Sequence, residues 1–317
     1  MPAVCSGGWH ATPVTILGTE KGDGTEKGGR TLSGSRQKFV AIIGMNEEFI
    51  KLFGRHIVSM GWLDQTRELA TENDGRGRNF CTSGFVVSIR GIWFLITAGH
   101  ILDGLEEALR KGHKLTDFHV HDGWGPVAFY NPQIFDYVGA KKYYYNVEHE
   151  SIDCAAIRLD ENTRARIAAN GVIPLDESGW YDSLPEEFDR YFVVGLPSMW
   201  QSTRSMTHSL SVSNALVLFD LERITEPPEN FTSSVPRFYG KAVKTIIDDT
   251  GSPLTDFDGM SGSPIFATKL LPNGKNRYWV LAIQSSVDPE TKSSYVAGNF
   301  FRNWALYLAT ELVRGGE

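Results

Sequence analysis

From Phe80 onward the chain is a succession of apolar runs five to eight residues long, each ended by Gly, Pro, Asn, Asp or Ser. Runs this short are too brief for the ordinary helix and suit β-strands bounded by turns. Gly84–Arg90 and Ile92–Thr97 flank Gly91, as in a hairpin, and Phe118–Asp122, Pro126–Tyr130 and Ile152–Leu159 follow. Residues 174–189 are rich in Pro, Gly, Ser and acid and read as a linker. A second batch runs through Arg190–Pro197, Ser209–Leu221, Phe238–Ile247, Ser263–Ala267 and Tyr278–Ser285. Two batches of about six short strands predict an all-β, mainly antiparallel chain of two barrels or sandwiches.

The ends differ from this middle. Eight of residues 1–37 are glycine, with Ser, Thr and Lys between them, so 1–37 is expected to be a flexible extension. Met45 and Met60 are alternative starts. In residues 38–79, Phe39–Ile43 is a short apolar run and Asn46 suits a helix cap ahead of Glu47 and Glu48. Phe49, Phe53, Ile57 and Met60 then recur at spacings of four and three, predicting a helix packed on the body or serving as a docking element. At the other end Phe301, Trp304, Leu308 and Leu312 line one helical face, with Asn299 as its expected cap.

Composition narrows the function classes. The 317 residues, 41% hydrophobic and 22% charged, are those of a folded chain long enough to need no disulfide or metal staple. Lys and Arg number 31 against 38 Asp and Glu, a net −7 that argues against broad binding to nucleic acid or to an anionic membrane surface. Cys5, Cys81 and Cys154 form neither a disulfide framework nor a metal-site spacing, which fits a reducing compartment. The first residues have no basic and apolar stretch of a secretory signal, and no run of ~18 apolar residues occurs. The expectation is a soluble cytoplasmic protein.

Three segments carry the chemistry. Phe94–Ile101 is an apolar strand that ends in a small-residue turn and then His100. Ser151–Leu159 opens a strand with Asp153, a carboxylate costly to bury unless hydrogen-bonded. Asp258–Pro264 sets Ser261 between Gly259 and Gly262. Glycines there allow a tight turn, close approach of a substrate and convergent main-chain N–H groups, although the pattern alone also fits a β-turn. Each signal is weak alone. Together they run His, Asp, Ser, the reverse of the Ser–acid–His order of α/β-hydrolases.

On these motifs the chain resembles the chymotrypsin-like, trypsin-fold serine peptidases, in the manner of bacterial cytoplasmic members. Thr97-Ala-Gly-His100 is similar to the family's T-A-A-H, Asp153–Leu159 to D-I-A-L-L-x-L, and Gly259–Pro264 to G-D-S-G-G-P. Thr82–Val86, Val194–Pro197 and Leu281–Ser285 match further family segments, so the likeness runs from about Phe80 to the C-terminus. It implies two six-stranded barrels, residues 80–180 carrying His100 and Asp153 and 181–317 carrying Ser261 and a C-terminal helix. It implies a serine endopeptidase in which Ser261 is nucleophile, His100 general base and Asp153 its orienting acid, with Gly259 and Ser261 N–H groups as oxyanion hole and no cofactor. Asp160, at the far end of the same strand, is the alternative acid. Ile101 and Phe257 stand where secreted members often carry Cys, and Met260 where zymogens carry Asp, so activation by a freed N-terminus is not expected.

Substrate contacts are expected from Thr255, Asp258, Gln284 and Ser285. The resemblance places Thr255 at the base of the specificity pocket and Gln284 where glutamyl-specific relatives carry His, which implies a neutral or small P1 residue; a register shift bringing Asp256 there would reverse this. Ser285 is expected to line the cleft beside Asp153. His119 and His121 share a strand face as a metal pair or, more simply, as core-edge residues; Tyr143–Tyr145 is a stacking surface or a packed loop. The partner expected is a protein or peptide substrate, with a protein activator or regulator if the enzyme is latent, and the competing reading is a catalytically silent peptide- or protein-binding module.

Overall fold

The computed structural model describes residues 52–66, 77–122, 133–147, 151–182, 184–198, 202–206, 209–213, 216–231, 233–243, 254–291 and 294–316. The expected extension 1–37, the cap at Asn46 and the strand Pro126–Tyr130 lie outside them.

The first unit contains β1 (Ile57–Asp64), β2 (Arg78–Ile89), β3 (Ile92–Thr97), α1 (Gly99–Arg110), β4 (Leu115–His121), β5 (Gln133–Ile134), β6 (Lys142–Val147), β7 (Ile152–Arg158) and α2 (Glu161–Ala169). Its strands form one antiparallel sheet in the order β5-β4-β1-β2-β3-β7-β6. The hairpin between β2 and β3 turns at Arg90 and Gly91, with φ of 54° and 79°, both left-handed as a two-residue type I′ turn demands.

The second unit contains β8 (Arg190–Gly195), β9 (Ser202–Met206), β10 (Ser209–Ser213), β11 (Val217–Arg223), β12 (Arg237–Ala242), β13 (Pro264–Leu270), β14 (Asn276–Val287), β15 (Tyr295–Phe300) and α3 (Phe301–Arg314). Six of these strands close into a barrel, β11-β12-β15-β14-β13-β8, and β9 and β10 form a separate ribbon. The protein is thus all-β and mainly antiparallel with a C-terminal helix, as the strand texture implies. One unit is a closed six-stranded barrel and the other a seven-stranded sheet.

One core joins the units. Phe85, Val87 and Phe94 of the first sheet pack with Phe192, Val194 and Phe266 of the barrel, and Phe301, Trp304, Leu308 and Leu312 of α3 complete the cluster. The helical face read from the sequence at the C-terminus is therefore the face that is buried.

Four local readings need correction. Ile57 and Met60 belong to β1, and among the described residues of this segment Leu52–Gly54 form a helical turn. Residues 57–61 of β1 are all buried because both faces are covered, Ile57 by one core and Val58 and Met60 by another. A strand buried on both faces loses its alternation, and its apolar residues then match helical spacing by coincidence. Tyr143–Tyr145 is not a loop but lies in β6 at the sheet edge, where Tyr145 meets Trp304 edge-on at 5.9 Å. Asn299 does not cap α3; Phe300 holds that position, without a side-chain cap. Asp160 is the N-cap of α2, its Oδ1 accepting the N–H groups of Asn162 and Thr163 at 2.9 and 3.0 Å, which removes it as the alternative acid.

Candidate active site

β3 and β7 are neighbours in the sheet, with Thr97 opposite Ala155, so the residues just beyond β3 meet the start of β7. His100, in the first turn of α1, donates its main-chain N–H to Asp153 Oδ1 at 2.8 Å, while its Nδ1 lies 2.7 Å from Asp153 Oδ2. Gly99 makes this approach possible. A Cβ there would run into the Tyr145 carbonyl oxygen and come within 3.0 Å of the Cys154 nitrogen. An ionised carboxylate can only accept, so Nδ1 carries the proton and Nε2 of the neutral ring keeps its lone pair. Burial pulls the His100 pKa down. The hydrogen bond to Asp153, its charge and that of Asp258 push it up, and the net result lies above the ordinary 6.5.

Asp153 is itself anchored from the barrel. Its N–H donates to Asn299 Oδ1 at 3.1 Å, and Asn299 Nδ2 donates to the Ser151 carbonyl at 2.8 Å. The Ser285 hydroxyl donates to the same Asn299 oxygen at 3.2 Å. Ser285 therefore reaches Asp153 through Asn299 and not by the direct contact expected.

Ser261 sits in a turn held by main-chain bonds. Met260 N–H donates to Phe257, Ser263 N–H to Met260 and Gly262 N–H to Gln284, at 3.1, 2.9 and 2.8 Å. Gly259 and Gly262 have φ of 82° and 91°, which only glycine adopts without strain. The N–H groups of Gly259 and Ser261 donate no hydrogen bond among the described residues, so the two expected oxyanion donors are unspent. Met260 is buried in the barrel core beside Val193 and Phe257, and so this turn is anchored by apolar packing at the position directly before the serine.

β2 ties the two halves together. Ser83 Oγ donates to the Gly259 carbonyl at 2.8 Å and accepts the Leu196 N–H at 3.0 Å. The Ser83 carbonyl accepts the Thr97 hydroxyl, three residues before His100, at 2.9 Å. Thr82 Oγ1 donates to the Ser261 carbonyl at 3.3 Å. Ser83 thus fastens both the Ser261 turn and the strand that leads to His100, and Thr82 fastens the first of them. A bond from Ser261 Oγ to His100 is not among those of the described residues; in unliganded sites such contacts are often long and tighten on substrate.

The remaining expected contacts divide. Thr255 and Asp258 are exposed, and Asp258 Oδ2 accepts from Ser198 Oγ at 3.2 Å. Gln284 is 1% exposed, with Nε2 bound to the Ser286 carbonyl at 3.1 Å, and Ser285 is buried as well. These two present little surface to a ligand.

His119 and His121 are buried with ring centroids 4.3 Å apart, and burial lowers both pKa values. Among the described residues no three ligands gather for a metal. A cavity of about 300 Å³, lined by Arg55, His56, Asp176, Arg277 and Tyr278 among others, contains none of the candidate residues. Its His56 donates from Nδ1 to the Ile173 carbonyl and accepts the Tyr278 hydroxyl at Nε2 of the neutral ring, and burial lowers its pKa to about 4. Reading the sequence missed Asn299, the Thr82–Ser83 clamp and the half-buried Arg237, whose Nη2 donates to Ser285 and Ser286. The resemblance of Thr82–Val86 pointed at the clamp without its role; Asn299 and Arg237 carry no local signal.

No family model matches the chain, and no curated protein sequence matches it. Solved structures do. The protease Anisep from Arthrobacter nicotinovorans is 17% identical over 78% of this chain and 90% of its own, with a TM-score of 0.41. The scabies mite inactivated protease paralogue S-D1 is 14% identical over 89% and 97%, at 0.41. The active form of the Rv3671c protease from M. tuberculosis is 12% identical over 86% and 88%, at 0.38. Both active and inactivated proteins stand in this group. No helix among the described residues is long and apolar enough to cross a membrane.

Proposed function

We propose that the protein is a serine endopeptidase acting through His100, Asp153 and Ser261. One observation carries the reading: Ser83 is bonded both to the turn of Ser261 and to the strand that delivers His100, which Asp153 grips at two points. On this reading Ser261 Oγ attacks the substrate carbonyl carbon as its proton passes to His100 Nε2. Negative charge on the former carbonyl oxygen is met by the N–H groups of Gly259 and Ser261. The imidazolium, steadied by Asp153, then protonates the departing amine. Water repeats the sequence on the acyl-enzyme and frees Ser261. Every proton in this cycle is carried by the chain's own groups, so no cofactor is invoked.

The test is labelling by a small fluorophosphonate. Wild type is expected to label, and Ser261→Ala and His100→Ala to lose both labelling and peptide hydrolysis, by about 10⁶ in kcat. A well-folded wild type that fails to label is evidence for the silent binding module; one that labels only with a partner protein is latent.

A further inference from the structure

We infer that Arg237 selects substrates carrying a carboxylate side chain on the N-terminal side of the scissile bond. The inference rests on the peptidase reading. Arg237 opens β12 opposite Asn299 of β15, the residue that holds Asp153, and its guanidinium feels the charge of Asp153. Its Nη2 donates to Ser285 and Ser286 Oγ at 2.6 and 2.8 Å. Adjacent residues of a regular strand point to opposite faces. Here the β14–β15 register shifts between Gln284 and Ser286, and that irregularity lets both hydroxyls meet one guanidinium. The site for Arg237 is therefore built, on β14, whose Gln284 bonds the Ser261 turn at Gly262 and Ser263.

What the site omits, among the described residues, is a carboxylate in contact with the guanidinium; the charge of Asp153 reaches it only through space. Both bonds leave from Nη2 and end on neutral oxygens. The Nε N–H is buried and makes no hydrogen bond among the described residues. No carboxylate pairs with Arg237 among them, and both oxygens of Asp153 are engaged by His100. A half-buried cation whose hydrogen bonds, among the described residues, end on hydroxyls alone is costly to desolvate. An anion brought by the substrate supplies the missing partner. Arginine suits that task because its planar fork matches a carboxylate. Placed beside the strand that flanks the serine turn, it would read an Asp or Glu side chain of the acyl half of the peptide.

The experiment measures the rate of Ser261 labelling by peptidyl phosphonates that differ only by Glu or Gln at one of the positions P1 to P4. Labelling needs no turnover of an amide. Wild type is expected to prefer Glu at one position by about 10- to 100-fold, and to rank Lys there below Gln. Arg237→Gln should bring the Glu/Gln ratio close to one, and Arg237→Lys should keep a reduced preference. The ratio within each variant cancels any general loss of reactivity. If neither variant folds, the wild-type order Glu, Gln, Lys alone decides. A wild type that labels but shows no preference overturns the inference and leaves the peptidase reading standing, as does a preference that survives Arg237→Gln. A wild type that labels with neither these probes nor the small fluorophosphonate overturns both.

Discussion

His100 stands in the helical turn just beyond one strand of the first sheet, Asp153 near the start of its neighbour, and the two are held by their side chains; Ser261 comes from a turn of the barrel and is held by its backbone. The first half spends a carboxylate on two donors of one residue, at 2.7 and 2.8 Å. The second half spends main-chain bonds, two left-handed glycines and a hydroxyl clamp from the opposite unit. A side-chain pair can be altered chemically while its frame persists. A backbone turn cannot be altered without moving the frame. Substitutions in the first half should therefore cost rate, and those in the second should cost stability together with rate.

Asp153→Asn gives the largest contrast. An asparagine can still accept the His100 main-chain N–H through its oxygen, so the turn keeps its shape. Toward Nδ1 it presents an NH₂ group, which forces the proton onto Nε2, the atom that must accept one from Ser261. The expected loss is about 10⁴ in kcat, with the thermal midpoint little changed. A loss below about tenfold would mean that Asp153 is a structural carboxylate and that the side-chain half does not run the chemistry.

Gly262→Ala probes the other half. A Cβ there would run into Thr97 Oγ1 and the Ser83 carbonyl, and its φ of 91° is strained for alanine besides. Destabilisation of about 2–4 kcal/mol is expected, with loss of labelling because the Ser261 turn is pushed off Ser83. Gly91→Ala is the matching control: φ is 79° but nothing lies within 4 Å of its Cβ. It should cost about 1 kcal/mol and leave labelling intact. Equal effects from the two alanines, read by denaturant melts, would show that the clamp on the serine turn adds nothing to φ strain.

The same division explains what the sequence made visible. His100, Asp153 and Ser261 stand in local motifs, and the geometry brings the first two into contact and fastens the turn of the third to β2, whose Ser83 also holds Thr97. Asp153 was readable because a carboxylate opening an apolar strand demands partners. Asn299 reads as a helix cap because it lies two residues before the start of α3; its work depends on its bonds to Ser151 and Asp153 around the start of β7, a tertiary fact. Arg237 carries no local signal for a like reason: its meaning comes from the β14–β15 irregularity and the two hydroxyls that it brings together. β1 was taken for helix because burial on both faces erased its alternation, and α1 was overlooked because it follows β3 after a single residue. Local chemistry is written in the chain, while partners from other strands are not.

The smallest effect joins the halves through space. Asp258 belongs to the serine turn, yet its charge reaches His100 and adds to that of Asp153 in raising the imidazole pKa above 6.5, against the pull of burial. On the peptidase reading His100 must be neutral to accept the Ser261 proton, so activity should rise with pH through a limb centred above 6.5. The protonated ring is the form that Asp153 and Asp258 favour. Its contribution to stability is complete below 6.5 and fades as pH climbs through the folded-state value, so the protein gains activity across the window in which it loses that support. Asp258→Asn removes one negative neighbour and should move the limb of kcat/KM toward lower pH without changing the plateau severalfold. Because Asp258 is exposed, salt should move the wild-type limb the same way and bring the two profiles together near 1 M, where the screening length is about 3 Å. A wild-type limb below 6.5 would mean that burial outweighs both carboxylates. A limb that ignores both the substitution and the salt would mean that the two halves of the site communicate only through the bonds of Ser83.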